Sequence, residues 1–392
     1  MKDFRSFMLL WSSQTISNAG DVFYIVGLIS IVYQLTDSVM MVSLIPLTNT
    51  LSRMVGGLIT PILIHQLPLR RILTMSMFLK IMALAILYLV HGAQLIWILV
   101  LVGINSFLDG WASPTRNAMI PEFAGKEALL KANSMTAISD NSVFLISWPV
   151  GSLFVAAFGS EKLLGLTVII YAVAWVLMLF VRQIAHEPDI KLNIIQQLLD
   201  GWTYILKVPS LKAVFTIDMI ITFSSVVWAS AFLLVYVDEV LGKGETWWGY
   251  INAVFFSGFI IAGFLYSKLA KFQLNKIILI CSLFTTILTF FFAFPNGAVG
   301  ALLIIFALGV CGQFQGLAQL TIIQTNTLPN QLAKVFSAQD VLITGSYAVS
   351  MLLFGWIGEM VNIRFVFILS GVLMTIVTIY ILRRRSVLVA GE

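Results

Sequence analysis

Apolar runs long enough to cross a bilayer follow one another along almost the whole of this chain, and they decide what it can fold into. A span needs roughly 17–25 mostly apolar residues. Such stretches fall near 6–33, 39–63, 71–90, 95–115, 134–158 and 163–182, then near 211–237, 247–267, 276–294, 299–323, 335–358 and 364–382. The first is too long for a signal-peptide core and lacks a small-residue cleavage site, so it stays as a span. The chain reads as an all-α membrane protein with twelve transmembrane helices, numbered here as spans 1 to 12.

Composition agrees. Charged residues make up 10% of the chain and hydrophobic ones 59%, against roughly 25% charged in a soluble domain, which is too little to coat a water-facing surface. The net charge of +5 does not point to nucleic acid, because the basic residues lie between the apolar runs rather than along one face. Loops counted alternately put Lys2, Arg5, Arg70, Arg71, Lys126, Lys131, Arg182, Lys191, Lys207, Lys212, Lys268, Lys271, Lys276, Lys334 and Arg383 to Arg385 on one side. Only Lys162, Lys243 and Arg364 fall on the other. The basic side is expected in the cytoplasm, with both termini there, in a multi-pass protein of the plasma membrane.

Residues 183–210 form the longest stretch without a span and divide the chain into an N-terminal six-helix bundle, 1–182, and a C-terminal one, 211–392. Within this linker Ile195, Leu198, Leu199, Trp202 and Ile205 recur at helical spacing opposite Lys191, Gln196, Gln197, Asp200 and Lys207. That pattern predicts an amphipathic helix on the cytoplasmic membrane surface, or one that binds a partner. A faint repeat relates the halves. Span 4 runs out through Arg116-Asn117-Ala118-Met119-Ile120-Pro121 and span 10 through Gln324-Thr325-Asn326-Thr327-Leu328-Pro329. Paired halves of this kind build alternating-access transporters.

Charge inside the spans is the functional signal. Asp21, Arg53, Asp109, Asp140, Asp218 and Asp340 lie within otherwise apolar runs. A charge in hydrocarbon costs at least about 2.5–3.5 kcal/mol, so such residues usually face a watery cavity or a partner. Polar stripes accompany them: Gln14, Ser17, Asn18, Asp21 and Tyr24 in span 1, Asn49, Arg53 and Thr60 in span 2, and Asn105, Asp109 and Arg116 in span 4. Span 7 adds Asp218 and Thr222, span 10 Gln313, Gln315, Gln319 and Gln324, and span 11 Asp340, Thr344 and Tyr347. Spans 3, 6, 9 and 12 carry no acidic residue and are expected outside the cavity, with Lys80 snorkelling from the cytoplasmic end of span 3.

Structural readings stand beside the functional ones. Asp140 and Asp340 lie near the starts of spans 5 and 11, where the helix dipole favours a carboxylate, so a gating role competes with a transport role. Arg116 is read as a latch to Glu122, Glu127 or Asp140. Arg53 is placed to pair with Asp21 or Asp109. Cys281 and Cys311 show no CxxC, and His65, His91 and His186 are scattered, which argues against a disulfide or a metal site. No cofactor is called for. Without a nucleophile–base constellation or a phosphate-binding glycine loop, the chain does not read as an enzyme or an ATP-driven pump.

At Leu10-Trp11-Ser12-Ser13-Gln14 through Gly20-Asp21, then Tyr33-Gln34-Leu35-Thr36-Asp37-Ser38, the chain resembles the major facilitator superfamily, and within it the macrolide-efflux and enterobactin-exporter branch. Ser113-Pro114-Thr115-Arg116-Asn117-Ala118-Met119-Ile120-Pro121, Lys131-Ala132-Asn133-Ser134, Gly201-Trp202 and Pro209 carry the same resemblance. It implies the major facilitator fold of two pseudo-symmetric six-helix bundles. The superfamily's Gly-x-x-x-Asp-Arg-x-Gly-Arg-Arg loop between helices 2 and 3 is altered: His65 stands at the Asp position and Gln66 at the Arg position, with Arg70 and Arg71 kept. The charge latch of that loop is therefore weakened or rebuilt. The antiporter pattern of helix 5 is reduced to Trp148-Pro149-Val150-Gly151, and Ser106 stands where many proton-coupled members carry an arginine. Similar helix 1 and helix 4 features also occur in lysophospholipid transporters of the superfamily.

These readings converge on a monomeric secondary transporter that exports a bulky amphipathic compound in exchange for protons. A carboxylate in a low-dielectric cavity is easier to protonate, so protonation and substrate binding compete for one site. Asp21 is the expected proton carrier and Asp109 the second. Arg53, Arg116, Asp140 and Asp340 are expected as charge partners or gates. Gln14, Asn18, Tyr24, Asn105, Asp218, Gln315, Gln319 and Tyr347 are expected to line the substrate cavity, with Trp148 and Trp228 among its aromatic walls. A lipid-type transporter is the alternative within transport, and a non-transporting receptor or regulator the alternative outside it.

Overall fold

The computed structural model describes residues 2–36, 39–89, 95–184, 193–228, 230–243, 245–266, 273–294 and 297–389. His91, His186, Lys191, Lys268 and Lys271 lie outside them. Among the described residues the regular structure is entirely helical. The helices are α1 (Phe4–Thr36), α2 (Val39–Gln66), α3 (Leu69–Leu89), α4 (Leu95–Ala124), α5 (Leu129–Phe158) and α6 (Ser160–Leu179), followed by the linker helix α7 (Ile194–Lys207). Then come α8 (Pro209–Ser225), α9 (Ser230–Glu239), α10 (Glu245–Tyr266), α11 (Leu274–Ala293), α12 (Gly297–Asn326), α13 (Pro329–Met360) and α14 (Ile363–Arg384).

Eleven of these, counting α8 with the 3₁₀ turn Val226–Trp228, are long and apolar enough to cross a membrane among the described residues. The 28-residue α2, whose only Asp, Glu, Lys or Arg is Arg53, completes the twelve. The span expected over 211–237 is broken: α8 ends in the 3₁₀ turn and α9 resumes beyond it.

Two compact units account for the chain. One comprises Met1–Leu129, Ser142–Tyr204 and Leu328–Val341, the other Leu130–Asn141, Ile205–Thr327 and Leu342–Glu392. The first turns of α5 thus group with the second unit and the first turns of α13 with the first. The first unit's core joins Tyr24, Leu28, Val32, Ile45, Leu84, Leu87, Ile98, Val102, Leu164 and Tyr171. In the second, Trp228, Tyr236, Phe292 and Phe367 form an aromatic cluster, with the Tyr236 and Phe292 rings stacked at 4.5 Å. Trp228, expected among the aromatic walls of the cavity, packs partly buried against this core.

The same device closes one helix pair in each unit. Without side chains at Gly56 and Gly110, α2 and α4 approach until a β-carbon on Gly56 would strike the Phe107 carbonyl and one on Gly110 the backbone of Arg53 and Gly57. In the second unit Gly258 of α10 and Gly309 of α12 pack against the backbone of Phe306 and Phe255 in turn. Small residues at helix crossings let backbones come close where lipid supplies no hydrophobic drive for association.

Candidate functional site

In the first unit four helices deliver one buried polar cluster. Lys80 Nζ of α3 donates to Asp21 Oδ1 of α1 and, at 2.7 Å, to Asp109 Oδ1 of α4. The Tyr171 hydroxyl of α6 donates to the same Asp21 oxygen, and the Lys80 ammonium lies 4.6 Å from the centre of the Tyr171 ring. Gly20 makes room for that ring, since a β-carbon there would sit 2.8 Å from Tyr171 Cε1. The Lys80 side chain is 3% exposed, those of Asp21 and Asp109 19% and 17%.

The electrostatics are unbalanced by design of the residue set. One ammonium serves two carboxylates, so with all three groups ionised the cluster carries one excess negative charge. Buried ion pairs hold only when geometry and further hydrogen bonds offset the lost hydration. Here the Tyr171 hydroxyl and its ring face supply part of that offset. One turn away a neutral network follows, in which Asn49 Nδ2 donates to the Tyr24 hydroxyl at 2.9 Å and to Ser106 Oγ at 2.8 Å. Ser106, at the position where many proton-coupled members of the superfamily carry an arginine, thus belongs to a hydrogen-bonded trio.

Several expectations need correction. Lys80 does not snorkel: it is the twelfth residue of the 21-residue α3 and is buried. Helices α3 and α6, expected outside, each contribute a side chain to the cluster. The cation in direct contact with Asp21 and Asp109 is Lys80, while Arg53 Nε lies 3.9 Å from Asp340 Oδ2 and within electrostatic reach of Asp109 and Asp21. Asp140 and Asp340 are each the twelfth residue of α5 and α13, beyond the first turn to which the dipole effect is confined. Of the three partners expected for Arg116 (Glu122, Glu127 and Asp140), Glu122 faces Lys2 at 3.7 Å, and Arg116 also lies within electrostatic reach of Asp340.

The expected cavity residues are divided between the two units. Gln14 and Asn105 are buried in the first unit, Tyr24 belongs to the trio with Asn49, and Asn18 is partly buried. In the second unit Gln319 Nε2 donates to Asp218 Oδ1 at 2.8 Å, with Gln315 buried one turn along α12. Tyr347 is the exposed member, at 38%. Lys80 and Tyr171 were missed. Their signal lay in depth: a lysine at the midpoint of a 20-residue apolar run is too far from either end to reach water.

The whole chain has recognisable relatives. A family profile described as transmembrane secretion effector matches residues 3–389. The MFS-type transporter YfmI of Bacillus subtilis (strain 168) is 27% identical over 379 residues, 94% of this chain and 93% of its own length. The multidrug efflux pump Tap of Mycolicibacterium fortuitum is 23% identical over 227 residues, 55% of each chain. Among solved structures the E. coli fucose:proton symporter FucP superposes with a TM-score of 0.80 at 14% identity, covering 98% of this chain and 99% of its own.

Proposed function

This chain belongs to the transmembrane secretion effector family of major facilitator transporters, and we propose that it is a proton-coupled exporter of a bulky amphipathic small molecule. It works by alternating access as a monomer in the plasma membrane, with both termini in the cytoplasm. The observation that carries the coupling is the sharing of one buried Lys80 by Asp21 and Asp109. A single proton on either carboxylate removes the excess charge and loosens one of the two ion pairs. Proton occupancy can thereby select between arrangements of α1, α3, α4 and α6, which is what coupling requires. The Asp218–Gln319 pair and Gln315 offer polar contacts for the substrate.

Drug-type cargo is supported by the likeness, over 55% of the chain, to the multidrug efflux pump Tap, and macrolide or siderophore-like cargo by the resemblance of the sequence motifs. One observation favours a lipid-type substrate instead. A groove of about 740 Å³ between α2, α3 and α4 is lined by Leu51, Val55, Met82, Ile104 and Phe107 with almost no polar surface, the chemistry of an acyl chain.

Inside-out vesicles given a macrolide, a catecholate siderophore, a cationic dye and a lysophospholipid, with and without an imposed pH gradient, test the reading. Uptake of one amphipath, stimulated by an acidic lumen and abolished by a protonophore, is expected. Gradient-independent uptake of every transported compound would remove proton coupling, and transport of lysophospholipid alone would favour the second reading.

A further inference from the structure

The altered loop after α2 has a structural counterpart that the transport site does not use. His65 occupies the position of the superfamily's loop aspartate, and its buried ring points Nε2 at Asp200 Oδ2 of the linker helix α7, 3.6 Å away. The same Asp200 oxygen accepts from Lys334 Nζ of α13 at 2.6 Å. His65 and Lys334 are 1% and 7% exposed, Asp200 22%. All three belong to the first unit.

The helix that brings Asp200 there is fitted to the task. A β-carbon on the next residue, Gly201, would lie 2.8 Å from the Lys334 carbonyl carbon, so α7 presses directly on the α13 backbone. One turn on, the Tyr204 hydroxyl accepts from the Leu328 backbone N–H at 3.3 Å, one of the amides near the start of α13 that no carbonyl within the helix can satisfy. Further along α13, Ser337 Oγ donates to the Gly57 carbonyl at 2.5 Å, and then Asp340 meets Arg53. The first turns of α13 are thus strapped to α2 rung by rung, with α7 closing the end of the strap.

We infer that Asp200 is the positioning residue of a latch in which the linker helix supplies the carboxylate that is absent where His65 stands, in the last turn of α2. It clamps residues 328–341 against α2 and sets how readily that segment opens. The Lys334 ammonium and the His65 ring converge on one carboxylate oxygen, so removing its charge leaves the buried Lys334 without its carboxylate partner. The inference rests on the family's being transporters and on neither the substrate nor the driving ion.

The rate at which a maleimide modifies a buried thiol reads the opening of this segment. In the full chain, with Cys281 and Cys311 changed to serine and the protein held in nanodiscs, Ser337→Cys places such a thiol under the strap. Asp200→Asn is expected to speed its labelling about tenfold, and Gly201→Ala, which changes no charge, to speed it as well. The exchange Asp200→Lys with Lys334→Asp should bring the rate back to within about twofold of the starting protein. Ser76→Cys, in the buried face of α3, reports global unfolding and should stay protected throughout. An unchanged rate in Asp200→Asn would overturn the inference. So would equal acceleration at Ser76→Cys, or an exchange variant no slower than Asp200→Asn.

Discussion

Lys80 Nζ stands 2.7 Å from Asp109 Oδ1, 29 residues along the chain, although the lysine lies in a helix that shows no polar stripe. That contact ties α3 to the functional face of α4, and Asp21 makes the tie three-way. The first unit is therefore organised around a cation, with two carboxylates arranged to share it.

Lys80→Met is expected to be strongly destabilising. It leaves Asp21 and Asp109 buried with no ammonium between them, a loss in the range of about 3–5 kcal/mol for a broken buried pair. The yield of monodisperse protein should fall sharply, as read by fluorescence-detected size exclusion. Adding Asp21→Asn and Asp109→Asn removes both stranded charges and should restore the yield without restoring gradient-driven transport. A triple variant no more stable than Lys80→Met would show that the lysine acts through packing alone.

The span pattern, the linker helix and the acidic members of the cluster were legible because each is a local property: apolar length, helical periodicity, or a carboxylate where none is expected. Lys80 and Tyr171 were not. The depth of Lys80 in its apolar run argues for a buried cation, but nothing in the helix itself names the carboxylates it meets. The direct contact of Arg53 with Asp340 was hidden for the same reason, since helical spacing fixes the face of one helix and says nothing of which helix it meets. The glycine contacts that set those meetings look like any other small residue until backbone approach is measured.

Tyr171→Phe keeps the ring beneath the Lys80 ammonium and removes only the hydroxyl that donates to Asp21. Losing a hydrogen bond to a charged group costs about 1.5–3 kcal/mol, so the melting temperature should drop by several degrees with the fold retained. Gly20→Val should cost more, because its side chain displaces the whole ring. If differential scanning fluorimetry ranks the two the other way, the ring position is not what fixes Asp21.

The glycine crossings predict a sharp contrast. Gly110→Leu and Gly258→Leu force apart backbones that now touch, and folded protein should be lost in both. Gly316→Ala and Gly249→Ala meet nothing within 4 Å and should change stability by no more than about 0.5 kcal/mol. Comparable thermal stability across all four would contradict the close approach of α2 to α4 and of α10 to α12.

Asp21→Asn separates structure from coupling. The amide matches the carboxylate in shape, still accepts at its oxygen, and leaves Lys80 paired one-to-one with Asp109, so the cluster becomes neutral without a proton. The variant should insert, fold and melt at or near the temperature of the unaltered protein, in contrast to Lys80→Met. A cluster that is already neutral has nothing to gain from protonation, and an imposed pH gradient should no longer drive substrate movement, while exchange of substrate down its own gradient continues. Asp109→Asn leaves Lys80 paired with Asp21 and is expected to behave alike, because either change removes the excess charge. Vesicle uptake measured with and without a gradient distinguishes the cases. Full gradient-driven uptake in both single variants would mean that this cluster holds four helices together and that the coupling proton binds elsewhere.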